Sequence, residues 1–180
     1  MYKRQFLLSN AEGKEVFHVK GPFDLDKDKA SECLILNSKD YSILFVEINS
    51  SGVNDTLWSY KFKNEIYIAD GDLIDLDNDG ALELIIIPNI INVDKSIPWL
   101  YVFKGSASVF MKEPLSYTKA PLSLTAMRPS SLTILNDSSS PLGVCFASPV
   151  RKGMIFNLKI TEGQLKLTNA RLLSNSSNHN

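Results

Sequence analysis

Hydrophobic and polar positions along the chain alternate in short bursts and never settle into a helical period. Runs rich in β-branched and aromatic residues recur, each bounded by Gly, Asn, Asp, Ser or Pro: "RQFLLS" (4–9), "EVFHVK" (15–20), "ECLILN" (32–37), "YSILFVEI" (41–48), "DTLWSYKF" (55–62), "LELIIIP" (82–88), "WLYVFKG" (99–105) and "ASVFMK" (107–112). "SLTIL" (131–135), "GVCFASP" (143–149), "GMIFNLKI" (153–160) and "QLKLT" (164–168) complete the set. Such runs predict strands. "SNAEGK" and "TEGQ" predict the hairpin connections of the first and last pairs. No stretch holds apolar residues at i, i+3, i+4 and i+7 over three turns without interruption, so the pattern predicts an all-β fold.

The strands repeat in groups. "FDLDKDKASECLIL" (23–36) aligns without a gap on "IDLDNDGALELIII" (74–87), placing Asp24, Asp26, Asp28 and Glu32 on Asp75, Asp77, Asp79 and Glu83, 51 positions on. Two strand-like runs follow each copy. "ILNDSSSPLGVCFASP" (134–149) reads as a third, eroded copy in which only Asp137 survives of the acidic set. The chain is thus expected to form one repeat region over 1–172, with repeats near 21–65, 70–113 and 130–168 and a polar tail at 173–180.

Composition narrows the function. With 180 residues, 44% hydrophobic and 22% charged, the chain can bury one core. A net charge of −1 without a local Lys/Arg cluster argues against nucleic acid as a partner. No apolar run reaches the roughly 18 residues of a membrane helix, and the first residues show no signal peptide. Cys33 and Cys145 each sit inside an apolar run, which predicts buried free thiols rather than a disulfide.

The acidic loops carry the chemistry. Aspartates on the first, third and fifth positions of a tight loop turn their carboxylates inward, a backbone carbonyl at the seventh adds an oxygen, and a glutamate at the ninth closes the cage. All-oxygen donors suit a hard cation, and calcium takes six to eight of them at about 2.3–2.6 Å. Four carboxylates in one turn otherwise repel one another. Gly80 permits the positive φ that the turn demands. An EF-hand would need a glutamate at the twelfth position, where Ile86 stands inside a strand. In the first loop Lys29 replaces the glycine, and Lys27 and Lys29 add positive charge, which predicts weaker binding. The third loop, with Ser139, Pro141 and Gly143 at the needed positions, is expected to be metal-free.

"GDLIDLDNDGALELIII" (71–87) followed by "WLYVFKG" resembles the FG-GAP and VCBS-type repeats that build β-propeller blades, as in integrin α-subunit heads. The resemblance implies about three blades plus an N-terminal hairpin, a partial propeller. It implies Asp75, Asp77, Asp79, Ala81 (through its carbonyl) and Glu83 as one set of Ca2+ ligands, and Asp24, Asp26, Asp28, Ala30 and Glu32 as a second. The opening hairpin looks like the outer strands of a preceding blade. Because propellers close with about four to eight blades, the expectation is a fragment of a longer protein, a ring completed by another chain or further copies of this one, or a short open array.

The resemblance further implies a binding or adhesion module for a protein or glycan, outside the cell, on its surface or in the periplasm. The alternative is a catalytic or non-catalytic part of a polysaccharide-active enzyme on related blades. Little in the chain supports catalysis: His179 lies in the tail, His18 reads as a strand residue, and Glu65, Asp94 and Glu113 show no catalytic spacing. A non-enzyme is therefore expected. Trp58, Trp99 and Tyr101 lie in alternating apolar runs and are expected to pack in the core rather than to stack on sugars.

Overall fold

The computed structural model describes residues 6–8, 17–25, 28–37, 40–48, 54–63, 66–89, 98–106, 109–117, 128–135, 142–148 and 152–173. Among these there are strands and turns and no helix, so the chain is all-β. No helix in them is long and apolar enough to cross a membrane.

The strands fall into three antiparallel meanders. The first contains β1 (Phe6–Leu8), β2 (Phe17–Phe23), β3 (Ser31–Asn37), β4 (Ser42–Ile48) and β5 (Asn54–Lys61), in that spatial order. The second is built from β6 (Tyr67–Ile74), β7 (Glu83–Asn89) and β8 (Leu100–Phe103). A two-stranded ribbon of β9 (Gly105–Ser106) and β10 (Val109–Phe110) interrupts it before β11 (Leu115–Tyr117) completes the sheet on the far side of β8. The third runs β12 (Arg128–Leu135), β13 (Leu142–Ser148), β14 (Lys152–Thr161) and β15 (Gln164–Leu173).

The second sheet is sandwiched between the other two, and its sequence shows why. Leu84 and Ile86 of β7, with Tyr101 and Phe103 of β8, pack on Leu34, Leu36, Ile43, Phe45 and Trp58 of the first sheet. Ile85 and Ile87, with Leu100 and Val102, face the opposite way and pack on Phe156, Leu158 and Ile160 of the third. Successive side chains of a strand point to opposite faces, so a strand covered on both sides must be apolar at every position. That is the origin of the aliphatic run in β7. Each such fully buried side chain stabilises the fold by roughly 1.5–3 kcal/mol.

Aromatic residues fill the first of these two interfaces. Trp58 stacks on Tyr60 at 6.1 Å between ring centroids and meets Phe103 and Phe110 edge-on at 5.1 and 5.3 Å. Trp99 meets Phe156 across the second interface at 5.7 Å. Trp58, Trp99 and Tyr101 are all buried, in core positions as their neighbours in sequence suggested. Phe110, in the run expected to be the second repeat's last strand, instead reaches into this aromatic core, and Leu115–Tyr117 takes the edge of the sheet.

The start of the chain departs from expectation. β1 and β2 do form a hairpin, but β2 also pairs with β3, from Phe17↔Asn37 to Phe23↔Glu32. The hairpin is therefore the near edge of the first sheet and not the outer part of a preceding one. A register shift between Lys20 and Phe23 absorbs Gly21-Pro22, and the strand continues to the acidic loop. The matching strand of the second sheet, β6 ("YIADGDLI"), is concealed in the sequence by its own polar residues.

A buried ion pair ties these two strands together. Lys20 Nζ in β2 lies 2.6 Å from Asp70 Oδ1 in β6 and donates to the Gly71 carbonyl at 2.5 Å. Both side chains are almost completely buried, so the pair is sealed between sheets. Gly71 allows the close approach: a Cβ there would come 2.6 Å from Ile86 Cδ1. Cys33 is a free, half-buried thiol whose pKa is raised by burial and then by the charge of Glu32. Cys145 lies in β13. Residues 174–180 of the expected tail lie outside the described residues.

Candidate metal centre

Each acidic loop joins two paired neighbouring strands of a sheet: β2 to β3 in the first sheet, β6 to β7 in the second. The two loops share three hydrogen bonds. The Leu76 N–H donates to Glu83 Oε2 at 2.7 Å, and the Leu25 N–H to Glu32 Oε2 at 2.6 Å. The Gly80 N–H donates to Asp75 Oδ2 at 3.0 Å, and the Lys29 N–H to Asp24 Oδ1 at 3.4 Å. The Ala81 N–H donates to Asp79 Oδ1 at 2.8 Å, and the Ala30 N–H to Asp28 Oδ1 at 2.6 Å. The 51-residue repeat seen in the sequence is therefore a repeat of conformation.

The turn itself also matches. Gly80 adopts φ 91° and Lys29, at the equivalent position, φ 75°. Left-handed backbone costs a non-glycine residue about 1–2 kcal/mol. Lys29 accepts that strain, so the substitution leaves the shape of the first loop intact.

In the second loop, carboxylate oxygens of Asp75, Asp77 and Glu83 lie within 4.8 Å of one another; in the first, those of Asp24, Asp28 and Glu32 do. Asp79 is exposed and Ala81 half-buried; they are joined by the bond just described and stand beside the trio. Ala30 has the same place in the first loop, and Asp26 lies outside the described residues. Glu65, Asp94, Asp137 and His179 also lie outside them, His18 is half-buried in β2, and Glu113 is exposed.

The glutamates close the cages from inside. Glu32 and Glu83 are 0% exposed, each at the start of a strand whose next residues enter the core. Glu83 spends one oxygen on the Leu76 N–H. Its other oxygen, Oε1, is buried with no hydrogen-bond donor among the described residues, as is Asp77 Oδ1. A buried acceptor without a donor costs about 1–3 kcal/mol or more when charged. Burial pushes Glu83 up to about 7; the Leu76 N–H opposes this, Asp77 and Asp79 add to it, and Lys104 lowers it. Two inward-facing oxygens without donors and an all-oxygen ligand set fit a hard divalent cation.

Sequence reasoning missed one residue at this centre. Lys104, just past β8, places Nζ 2.8 Å from Asp77 Oδ2. Its pKa is raised, first by that hydrogen bond. The register Leu84↔Phe103, carried on by one residue, sets Lys104 opposite Glu83. Only the pairing of β7 with β8, which lies beyond local pattern, could have brought it here.

The fold defined by these sheets and loops is all-β, three stacked antiparallel meanders with an acidic loop in each of the first two. No protein-family model matches the chain, and no curated protein matches its sequence. Among solved structures it is similar to the Bacillus licheniformis rhamnogalacturonan lyase PL11, with a TM-score of 0.50 and 16% identity. The match covers 98% of this chain and 39% of that one, so the chain spans about two fifths of the lyase's length.

Proposed function

We propose that the chain is a calcium-binding module of β-propeller type, related to FG-GAP and VCBS repeats, in which Ca2+ staples the inter-strand loops. The module then presents its loop-bearing surface to a protein or glycan. The observation that carries this reading is Glu83: a fully buried carboxylate, one oxygen without a donor, grouped with Asp75 and Asp77 and repeated in kind at Glu32. In the second cage Asp75, Asp77 and Glu83 hold the cation, joined by Asp79 and the Ala81 carbonyl. The first uses Asp24, Asp28 and Glu32, with Asp26 and the Ala30 carbonyl. The stacked meanders support a propeller arrangement, which another chain or further copies of this one would complete.

The cation's part is to neutralise charge and fix the loops. Bound at a hundredfold excess over its Kd, one calcium stabilises the folded state by about 2.7 kcal/mol. Calcium in the millimolar range is expected to raise the thermal midpoint of the wild type. Asp77→Ala is expected to retain only the part of that rise owed to the first cage. Melts in calcium and in chelator check this, and equal midpoints in the two buffers for the wild type would refute it. Calcium sites of extracellular modules bind with Kd of about 10⁻⁴–10⁻³ M. An extracellular, cell-surface or periplasmic setting accords with that range.

The likeness to a rhamnogalacturonan lyase favours a second reading, in which the chain is part of a polysaccharide-active enzyme. Of the acid and base candidates weighed in the sequence, His18 lies in β2, Glu113 lies beyond β10, and Glu65 and Asp94 lie outside the described residues. The module reading predicts glycan binding without cleavage, checked by ultraviolet detection of unsaturated products from acidic polysaccharides.

A further inference from the structure

The two cages share their internal hydrogen bonds but differ in what stands over them. Glu32 is paired across the strands with Glu47 in β4. Glu83 has Lys104 at the corresponding place. The close passage of the next residue fixes this line, since a Cβ on Gly105 would fall 2.2 Å from the Leu82 carbonyl oxygen. Where one cage has a carboxylate, the other has an ammonium. That ammonium is held by Asp77, yet its side chain is 31% exposed and that of Asp77 21%, so it has an open route to solvent.

We propose that Lys104 sets the affinity of the second cage: its ammonium is the resident counter-cation of the metal-free loop and gives up Asp77 when a divalent cation enters. The inference rests on the calcium reading above. Asp77 Oδ1 is the buried oxygen without a donor, and an ammonium on Oδ2 of the same carboxylate stands a few ångströms from a divalent ion held there, so the two cations repel each other. Calcium must push that charge aside or bind against it, so the second cage binds less tightly than its carboxylates alone would allow. At that place the first cage has Glu47, a carboxylate. Lys104 thus offsets, in the second loop, the advantage that Gly80 has over Lys29.

The test uses the full chain with Asp24→Ala, so that only the second cage responds. Calcium is titrated calorimetrically into this parent and into its Lys104→Met and Lys104→Arg derivatives, and melts in saturating calcium confirm that each is folded. Lys104→Met is expected to lower Kd about tenfold, the effect of removing one nearby positive charge. Lys104→Arg, which keeps the charge, is expected to stay within about twofold of the parent. As a second readout, acetylation of Lys104 in the parent, followed by mass spectrometry, is expected to speed up as calcium saturates and the amine is freed. Unchanged or weaker binding in Lys104→Met overturns the role of Lys104 while leaving the calcium site standing. Absence of saturable binding in all three chains overturns the calcium reading and this inference with it.

Discussion

Lys20→Met is expected to lower the stability of the chain by about 3–5 kcal/mol, the cost of breaking a buried ion pair from one side. Lys20 Nζ lies 2.6 Å from Asp70 and also donates to the Gly71 carbonyl, in a place from which water is excluded. Methionine fills the aliphatic part of that space but offers neither bond, so the buried Asp70 loses its cation. Converting both residues, as Lys20→Met with Asp70→Leu, is expected to recover much of the loss, because a well-packed apolar pair is often as stable as the ion pair it replaces. Urea unfolding of the wild type and the two variants measures this directly. A Lys20→Met chain within about 0.5 kcal/mol of wild type would show that the pair does not tie β2 to β6.

The second large effect is expected at Glu83, and its sign depends on calcium. Burial raises the folded-state pKa of Glu83 from 4.5 to about 7. A group that holds its proton more tightly when folded contributes stability below its unfolded pKa and loses it as pH rises through the folded value. The metal-free chain is therefore expected to lose roughly 3 kcal/mol between about pH 4.5 and pH 7. Glu83→Gln removes the ionisable group and is expected to flatten this slope, leaving the variant more stable than wild type in chelator at pH 8. In calcium the order reverses, since the cation neutralises the wild-type carboxylate while the amide is a poorer ligand. Urea unfolding at pH 5, 6, 7 and 8 in both buffers checks it. A metal-free stability that climbs steadily across that range would contradict the assignment.

Much of this was legible in the sequence, and what was not follows from the range over which the interactions act. The all-β class came from period-two runs, and the aliphatic stretch of β7 from burial on both faces of the middle sheet. The acidic motif came from spacing alone, and its repetition 51 residues apart pointed to the loops that share three hydrogen bonds in the structure. By contrast β6 was hidden, because Asp70 and Asp72 look like loop residues until Lys20 arrives from another sheet. The hairpin at the start was misplaced because the resemblance assigned it to a preceding blade, whereas β2 pairs with β3. Lys104 sits 21 residues beyond Glu83 in an ordinary-looking segment, and only the register of β7 on β8 brings it over the cage. Local chemistry was readable; charges that meet across strands and sheets were not.

The central claim is that both loops are calcium cages, and the most direct measurement is a calorimetric titration of the metal-free chain with calcium. Two calcium ions per chain are predicted, falling to one in Asp77→Ala and to one in Asp24→Ala. Absence of saturable binding up to about 10 mM calcium, an order of magnitude above the weakest affinity typical of extracellular sites, would contradict it.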